Sequence, residues 1–257
     1  GYVNLSMTSN RGSGVSSDAQ ISYFTGLLPI KNEIAVTRII KNKVIAFPKL
    51  LHEQKGYHTY ITLPTGKNFW HQEEANIKYG IDNVIELGNK TNDFFCQDEE
   101  LFKNLKQITP TLKKPYLNII LTLSMHGGYD DDFLKEQNKK SPFNYPNSYP
   151  MIFRHYLDKC YYTDAQIGQY INYLKKSKQY NNTIILICSD HEVPEASNQM
   201  GCSEDLPIVL LNSHIAKNKF YPGRINQIDL YPTLLDMFGL NSKWRGMGHS
   251  LLREDYN

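Results

Sequence analysis

Three short polar clusters stand out in this chain: Ser16 within the glycine-rich stretch GSGVSSDAQ (12–20), His126 ahead of Gly127 and Gly128, and the run Asp190-His191-Glu192. A serine hydroxyl is a weak nucleophile at neutral pH and needs a base or a metal ion to remove its proton. Asp190 and His191 offer one oxygen and one nitrogen, a mixture that Zn²⁺ or Mn²⁺ accepts. Gly12 and Gly14 let backbone come close to a ligand. A helix starting just behind Ser16 would favour an alkoxide, a phosphate or a sulfate through its free amides and dipole. Each cluster alone also has an ordinary reading. Ser and Gly are expected at any helix entry, Asp-His is a common loop dipeptide, and a histidine at a strand end often only satisfies backbone groups.

The elements that must position these residues follow from periodicity and breakers. Ser17 and Gln20 have capping-box spacing, so a helix is predicted from about Ser17, ending by Gly26. A helix over 47–55, a strand over 57–63, a helix over 71–80 and a strand over 82–87 come next. The helix 98–108 carries acids in its first turn and lysines later, as the helix dipole favours. Apolar runs at 117–125, 183–189 and 207–213 read as strands, the first two covered on both faces. Between them lie a polar Tyr/Pro/Asn-rich insertion (127–150) and a long helix from about Met151 to Ser177. A last helix spans 229–239, with Asp229 as cap and Gly239 as stop. Strands alternating with helices predict an α/β fold with a mostly parallel central sheet flanked by helices, in one domain over 1–257. In such sheets working residues sit past the carboxyl ends of strands, where His126 and Asp190-His191 fall. His155, on the long helix, is expected to make an ionic contact or face solvent.

Composition narrows the function classes. Lys+Arg number 28 and Asp+Glu 26, a near-balance unlike the clustered basic surface of a nucleic-acid binder. The apolar runs fall well short of the ~20 residues that span a bilayer. Cys96, Cys160, Cys188 and Cys202 lack CxxC or CxxH spacing, which argues against a thiolate metal site and signals no dense disulfide framework. The 18 tyrosines, dense over 143–162, could face carbohydrate, but packing is the safer account.

In their order along nearly the whole chain, these segments resemble the catalytic domain of the lipoteichoic acid synthase and phosphoglycerol transferase group, within the alkaline phosphatase/sulfatase superfamily. The nucleophile motif is matched by GSGVSSDAQ (12–20), the Phe-Trp motif by FWHQ (69–72) and the strand ending in histidine by TLSMHGGY (122–129). The long helix is matched by YTDAQIGQYINYLKK (162–176), the Asp-His metal pair by CSDHE (188–192), and a Gln-Ile-Asp segment by QIDLYPT (227–233).

The resemblance implies that Ser16 is the nucleophile in place of a threonine, forming a covalent phosphoserine. It implies that Ser16, Asp190 and His191 bind a divalent ion (Mn, Zn or Mg). It gives His126 a catalytic and substrate-holding role, and places Trp70, His71 and Gln72 at the substrate. The implied activity is transfer of a phosphoglycerol or phosphoethanolamine group from a phospholipid-type donor to a lipid or glycan acceptor. It would occur outside the cytoplasm, on a protein held to the membrane by N-terminal helices absent from this chain. Alternatives are a sulfuric or phosphoric ester hydrolase, or a non-catalytic ligand-binding relative. SSDAQ (16–20) lacks the Pro and Arg of the C/S-x-P-x-R signature, which argues against the formylglycine mechanism of true sulfatases. Two departures stand out. The family's metal-binding glutamate on a first strand has no counterpart among the fifteen residues before Ser16, none of them acidic. The expectation is a chain truncated at its N-terminus, lacking that central strand and binding metal weakly. The family's phosphate-gripping arginine and histidine correspond to Gln72 and Leu63, for which His71 and Lys67 could compensate.

Overall fold

The computed structural model describes residues 1–10, 12–87, 96–193, 198, 201 and 205–253. Among them seven strands form two sheets. β2 (His58–Leu63) lies between β3 (Asn83–Glu86) and β4 (Tyr116–Ile120), all parallel. The other sheet runs β5 (Ile185–Cys188), β6 (Leu206–Leu211), β1 (Tyr2–Thr8), β7 (Ile225–Asn226). In it β6 is antiparallel to both neighbours, while β1 and β7 are parallel. The expected strands are thus present, β4 and β5 shorter than their apolar runs. β1 has no clear sequence signal, because Tyr2 and Met7 point into the core while Val3 and Leu5 are exposed on its other face.

The parallel sheet is a layer between helices. On one face Ile61, Leu63 and Ile119 pack with Ile21 and Phe24 of α1 (Ser16–Thr25) and with Ala75 and Tyr79 of α4 (Gln72–Tyr79). On the other, Ile120 meets Leu101, Phe102 and Leu105 of α5 (Asp98–Ile108) and Ile167 and Tyr170 of α7 (Met151–Lys176). Two short helices, α2 (Val36–Ile39) and α6 (Phe133–Glu136), and the longer α3 (Phe47–Lys55) complete the run before α8 (Leu230–Phe238). β4 and β5 are half-buried rather than covered, because among the described residues each pairs on one side only and ends its sheet. α1 bridges the two sheets: Ile21 and Phe24 serve the first core, and Tyr23 packs against both.

The C-terminal segment straps α1 and α8 together. Trp244 Nε1 donates to Thr25 O at 2.7 Å, and the Met247 amide to Gly26 O at 2.9 Å. Gly26 (φ 66°) lies so close to Gly246 that a Cβ there would stand 2.7 Å from the Gly246 Cα, so neither position tolerates a side chain. Asp236 on α8 binds Arg253 at 2.9 Å and also Arg245. Burial alone would raise the Asp236 pKa, but hydrogen bonds from Arg253, Ser250 and Arg245 outweigh it, and the net shift is downward from 3.8. A carboxyl whose pKa is lower folded than unfolded stabilises the fold above its ordinary value. That contribution is lost as pH falls through the folded pKa. Asp236→Asn is therefore expected to lower the melting temperature at pH 7, with the gap to the parent closing toward pH 3. A constant gap would sink the assignment.

Most tyrosines of 143–162 serve packing. Tyr149 meets Phe153 edge-on at 5.3 Å, and Tyr129 meets Tyr156 at 5.6 Å, holding the insertion against α7. Cys96, Cys160 and Cys188 are free thiols, and Cys202 lies outside the described residues.

Candidate active site

Ser16 opens α1 and is exposed, while Ser17 and Asp18 beside it are buried. The loop ahead of it is held by its own followers. Asp18 Oδ2 accepts the amides of Gly12 at 2.8 Å and Gly14 at 2.9 Å, and Ser17 Oγ donates to Gly14 O at 2.8 Å. The expected Ser17–Gln20 capping box does not form, because Ser17 lies inside the helix and Gln20 Nε2 turns to Gln72 Oε1 at 3.3 Å. Two of the first-turn amides expected to face an anion are also taken, Ser17 by Gly14 O and Asp18 by Val15 O. Val15, a β-branched residue, sits at φ 47°, a conformation costing about 1–3 kcal/mol that persists only where surroundings enforce it. A Cβ at Gly14 would stand 2.7 Å from Ser17 Oγ and closer still to the Asp18 carboxylate. Gly14→Ala is thus expected to destabilise the fold by roughly 1–3 kcal/mol in chemical denaturation. A neutral result would mean that the loop is not locked.

Asp190 and His191 follow β5. Asp190 Oδ1 accepts the His191 amide at 3.0 Å, leaving Oδ2. His191 Nδ1 lies 2.8 Å from Glu192 O. A carbonyl can only accept, so Nδ1 is the donor, which leaves Nε2 as the ring nitrogen available to a metal. Nε2 and Asp190 Oδ2 are 3.6 Å apart. Ligands at ~2.1 Å around a tetrahedral ion stand roughly 3.4 Å apart, so this pair fits two positions of one small divalent cation. Among the described residues no group of three His, Cys, Asp or Glu side chains gathers around one point.

Gln227 joins this pair to Asn10, just ahead of the glycine loop. Its Oε1 accepts the Asn10 amide at 2.7 Å, and its Nε2 donates to Asp190 O at 2.6 Å and to Tyr23 Oη at 3.1 Å. Tyr23, two turns below Ser16 on α1, donates its hydroxyl to Ser189 O. Burial, with Cys188 and Asp190 nearby, holds that phenol well above its usual pKa, so it remains a donor. Spacing marks neither Tyr23 nor Gln227 as a site residue, although Gln227 heads the Gln-Ile-Asp segment that carries the resemblance.

His126 is exposed beyond the carboxyl end of β4. The segment with Trp70 leaves the same end of the adjacent parallel strand β2. Trp70 is 45% exposed, so its ring can wall a pocket. Trp70 (φ 52°) and His71 (φ 55°) are consecutive left-handed residues, further strain beside the candidate site. Gln72, expected at the substrate, is buried, and its Oε1 accepts from Gln20 at 3.3 Å and from Asn76 Nδ2 at 3.0 Å. Its amide oxygen braces α4 against α1. The two side chains that could replace a phosphate clamp each lie beside an acid: Lys67 Nζ is 2.5 Å from Glu73, and His71 Nδ1 is 3.3 Å from Glu74.

Comparison with known proteins agrees with this architecture. The lipoteichoic acid synthase of Staphylococcus saprophyticus is 23% identical over 268 residues, covering 96% of this chain. The chain spans only 41% of that synthase. The crystal structure of the lipoteichoic acid synthase LtaP from Listeria monocytogenes superposes with a TM-score of 0.79 at 18% identity, over 98% of this chain and 66% of that one. The Streptococcus pyogenes phosphoglycerol transferase GacH, in complex with sn-glycerol-1-phosphate, gives 0.56 at 15% identity, over 91% and 64%. The sequence model of the Sulfatase family matches residues 4–240, a span that runs from β1 through the glycine loop at 12–15 and the Asp-His pair to the end of α8. The chain belongs to the Sulfatase family.

Proposed function

We propose that this domain transfers a phospho group, of phosphoglycerol or phosphoethanolamine type, from a phospholipid donor to an envelope lipid or glycan through a covalent intermediate on Ser16. The observation that carries this reading is that Ser17 and Asp18 turn inward to lock the loop, leaving Ser16 exposed at a helix start whose loop Gln227 ties to Asp190. The Ser16 oxygen attacks phosphorus in line with the bond to the donor's diacylglycerol oxygen. That P–O bond breaks and diacylglycerol leaves as the alcohol, its new proton balancing the one Ser16 gives up. An acceptor hydroxyl then displaces Ser16 and restores the serine. His126 donates an N–H to a phosphoryl oxygen, and Trp70 and His71 wall the donor. Asp190 and His191 would hold a divalent ion (Mn, Zn or Mg), which when bound acts as the Lewis acid that lowers the Ser16 pKa and offsets phosphoryl charge. The single-sided pairing of β4 and β5 leaves an edge at which an upstream strand carrying a further acidic ligand could pair.

The domain is proposed to work outside the cytoplasm on a membrane-anchored protein. Among the described residues no helix is long and apolar enough to cross a membrane, so the anchor would lie outside them. The test is peptide mass spectrometry after incubation with phosphatidylglycerol and Mn²⁺. A glycerophosphoryl adduct on the peptide carrying Ser16 is expected. Donor turnover without an adduct would end the covalent step. No turnover and no adduct would favour the non-catalytic relative.

A further inference from the structure

The loop that carries His126 has little stiffness of its own, since Gly127 and Gly128 follow and Gly128 sits at φ 91°. It is held from beneath by one stripe of α7, residues 155, 159 and 163, spaced i, i+4, i+8. Lys159 Nζ donates to His126 O at 3.0 Å and to Gly128 O at 2.9 Å. His155 Nδ1 meets Tyr129 O at 2.8 Å, a backbone bond in place of the ionic contact or exposure expected of it. Thr163 Oγ1 donates to Asp98 Oδ2 at 2.8 Å, and Asp98 Oδ1 in turn accepts the amides of Leu123 at 3.0 Å and Ser124 at 3.2 Å. A buried carboxylate thus takes the N–H groups where the loop leaves β4, and a buried ammonium takes the C=O groups where it turns back.

Lys159 is 7% exposed and makes no ion pair among the described residues. Two carbonyls and the faces of Tyr129 (5.0 Å) and Phe133 (5.4 Å) stand in for a counter-ion. Burial lowers its pKa, with Glu136 and Asp131 acting the other way. Burying a charge is costly, and here the buried charge holds the carbonyl of His126 itself, whose side chain projects to solvent. We propose that Lys159 is a positioning residue for His126, fixing the backbone from which that imidazole reaches the donor phosphate. This rests on the role given to His126 above.

The test compares Lys159→Met, Lys159→Arg, His126→Ala and the double variant His126→Ala/Lys159→Met by two readouts. One is the His126 ring resonance in ¹H–¹³C spectra, with His58 on β2 as the internal control. The other is the rate of adduct formation on Ser16 with phosphatidylglycerol and Mn²⁺. Lys159→Met is expected to shift or broaden the His126 resonance while leaving His58 unchanged, and to slow adduct formation at least tenfold. Lys159→Arg should recover part of both, and the double variant should be no slower than His126→Ala. An unmoved His126 resonance, or losses that multiply in the double variant, would overturn the positioning role while leaving that of His126 intact. If His126→Ala alone reacts at the parental rate, the functional reading of His126 falls, and the proposal with it. Should Lys159→Met fail to fold, Lys159→Gln, which keeps one donor, replaces it under the same criteria.

Discussion

Ser16→Ala is expected to abolish the glycerophosphoryl adduct and to lower turnover of a phosphatidylglycerol donor by about 10³-fold or more, as loss of a nucleophile does elsewhere. The contrast with its neighbour makes the test specific. Ser17 has the same hydroxyl one residue away, but it is 4% exposed and its Oγ is committed to Gly14 O. It cannot swing out to substitute without unlocking the loop. Ser17→Ala should therefore cost about 1 kcal/mol of stability, the worth of one hydrogen bond, and leave an adduct on Ser16. Ser16→Thr keeps the hydroxyl and should keep a measurable rate. Turnover in Ser16→Ala at the parental rate would end the covalent mechanism, whatever the metal does.

Metal affinity should respond nearly as strongly. Asp190→Ala or His191→Ala removes one of the two donor atoms that stand 3.6 Å apart. Calorimetric titration of the intact chain with MnCl₂ or ZnCl₂ is expected to show at least ~100-fold weaker binding in either variant. Gln227→Leu removes bonds to the Asp190 carbonyl, the Asn10 amide and the Tyr23 hydroxyl but no donor atom of the pair, so its loss should fall in the range of about 10–100-fold typical of outer-shell partners. Equal affinity in Asp190→Ala and the parent would remove Asp190 from the metal site. A loss in Gln227→Leu exceeding that in His191→Ala would mean that the bridge, rather than the ligand pair, governs how tightly the ion is held.

Much of the architecture is legible along the chain. β2 reads directly as a strand through its alternation, although not as one sandwiched between two helical layers, and α5 and α8 declare themselves through their terminal residues. The edge positions of β4 and β5 are not legible, since a short, mainly apolar run looks the same whether it pairs on one side or two. The aromatic-rich insertion reads only as packing or surface, and ring contacts with α7 decide for packing. The buried seat of Gln72 is likewise invisible in FWHQ, because nothing local says which side of α4 faces α1.

The amino-acid sequence by itself determined the order of the elements and the supply of groups able to do chemistry: a hydroxyl at a helix entry, and a histidine and an Asp-His pair at strand ends. Those are short-range properties, set by spacing within a few residues. Only the tertiary structure decided which of two adjacent serines faces outward, and that Gln227 joins Asn10, 217 residues away, to Asp190, 37 residues away. It also set Lys159 beneath His126 across 33 residues. Such pairings exist only after packing has closed the loops between them, and no local pattern encodes the partner at the other end.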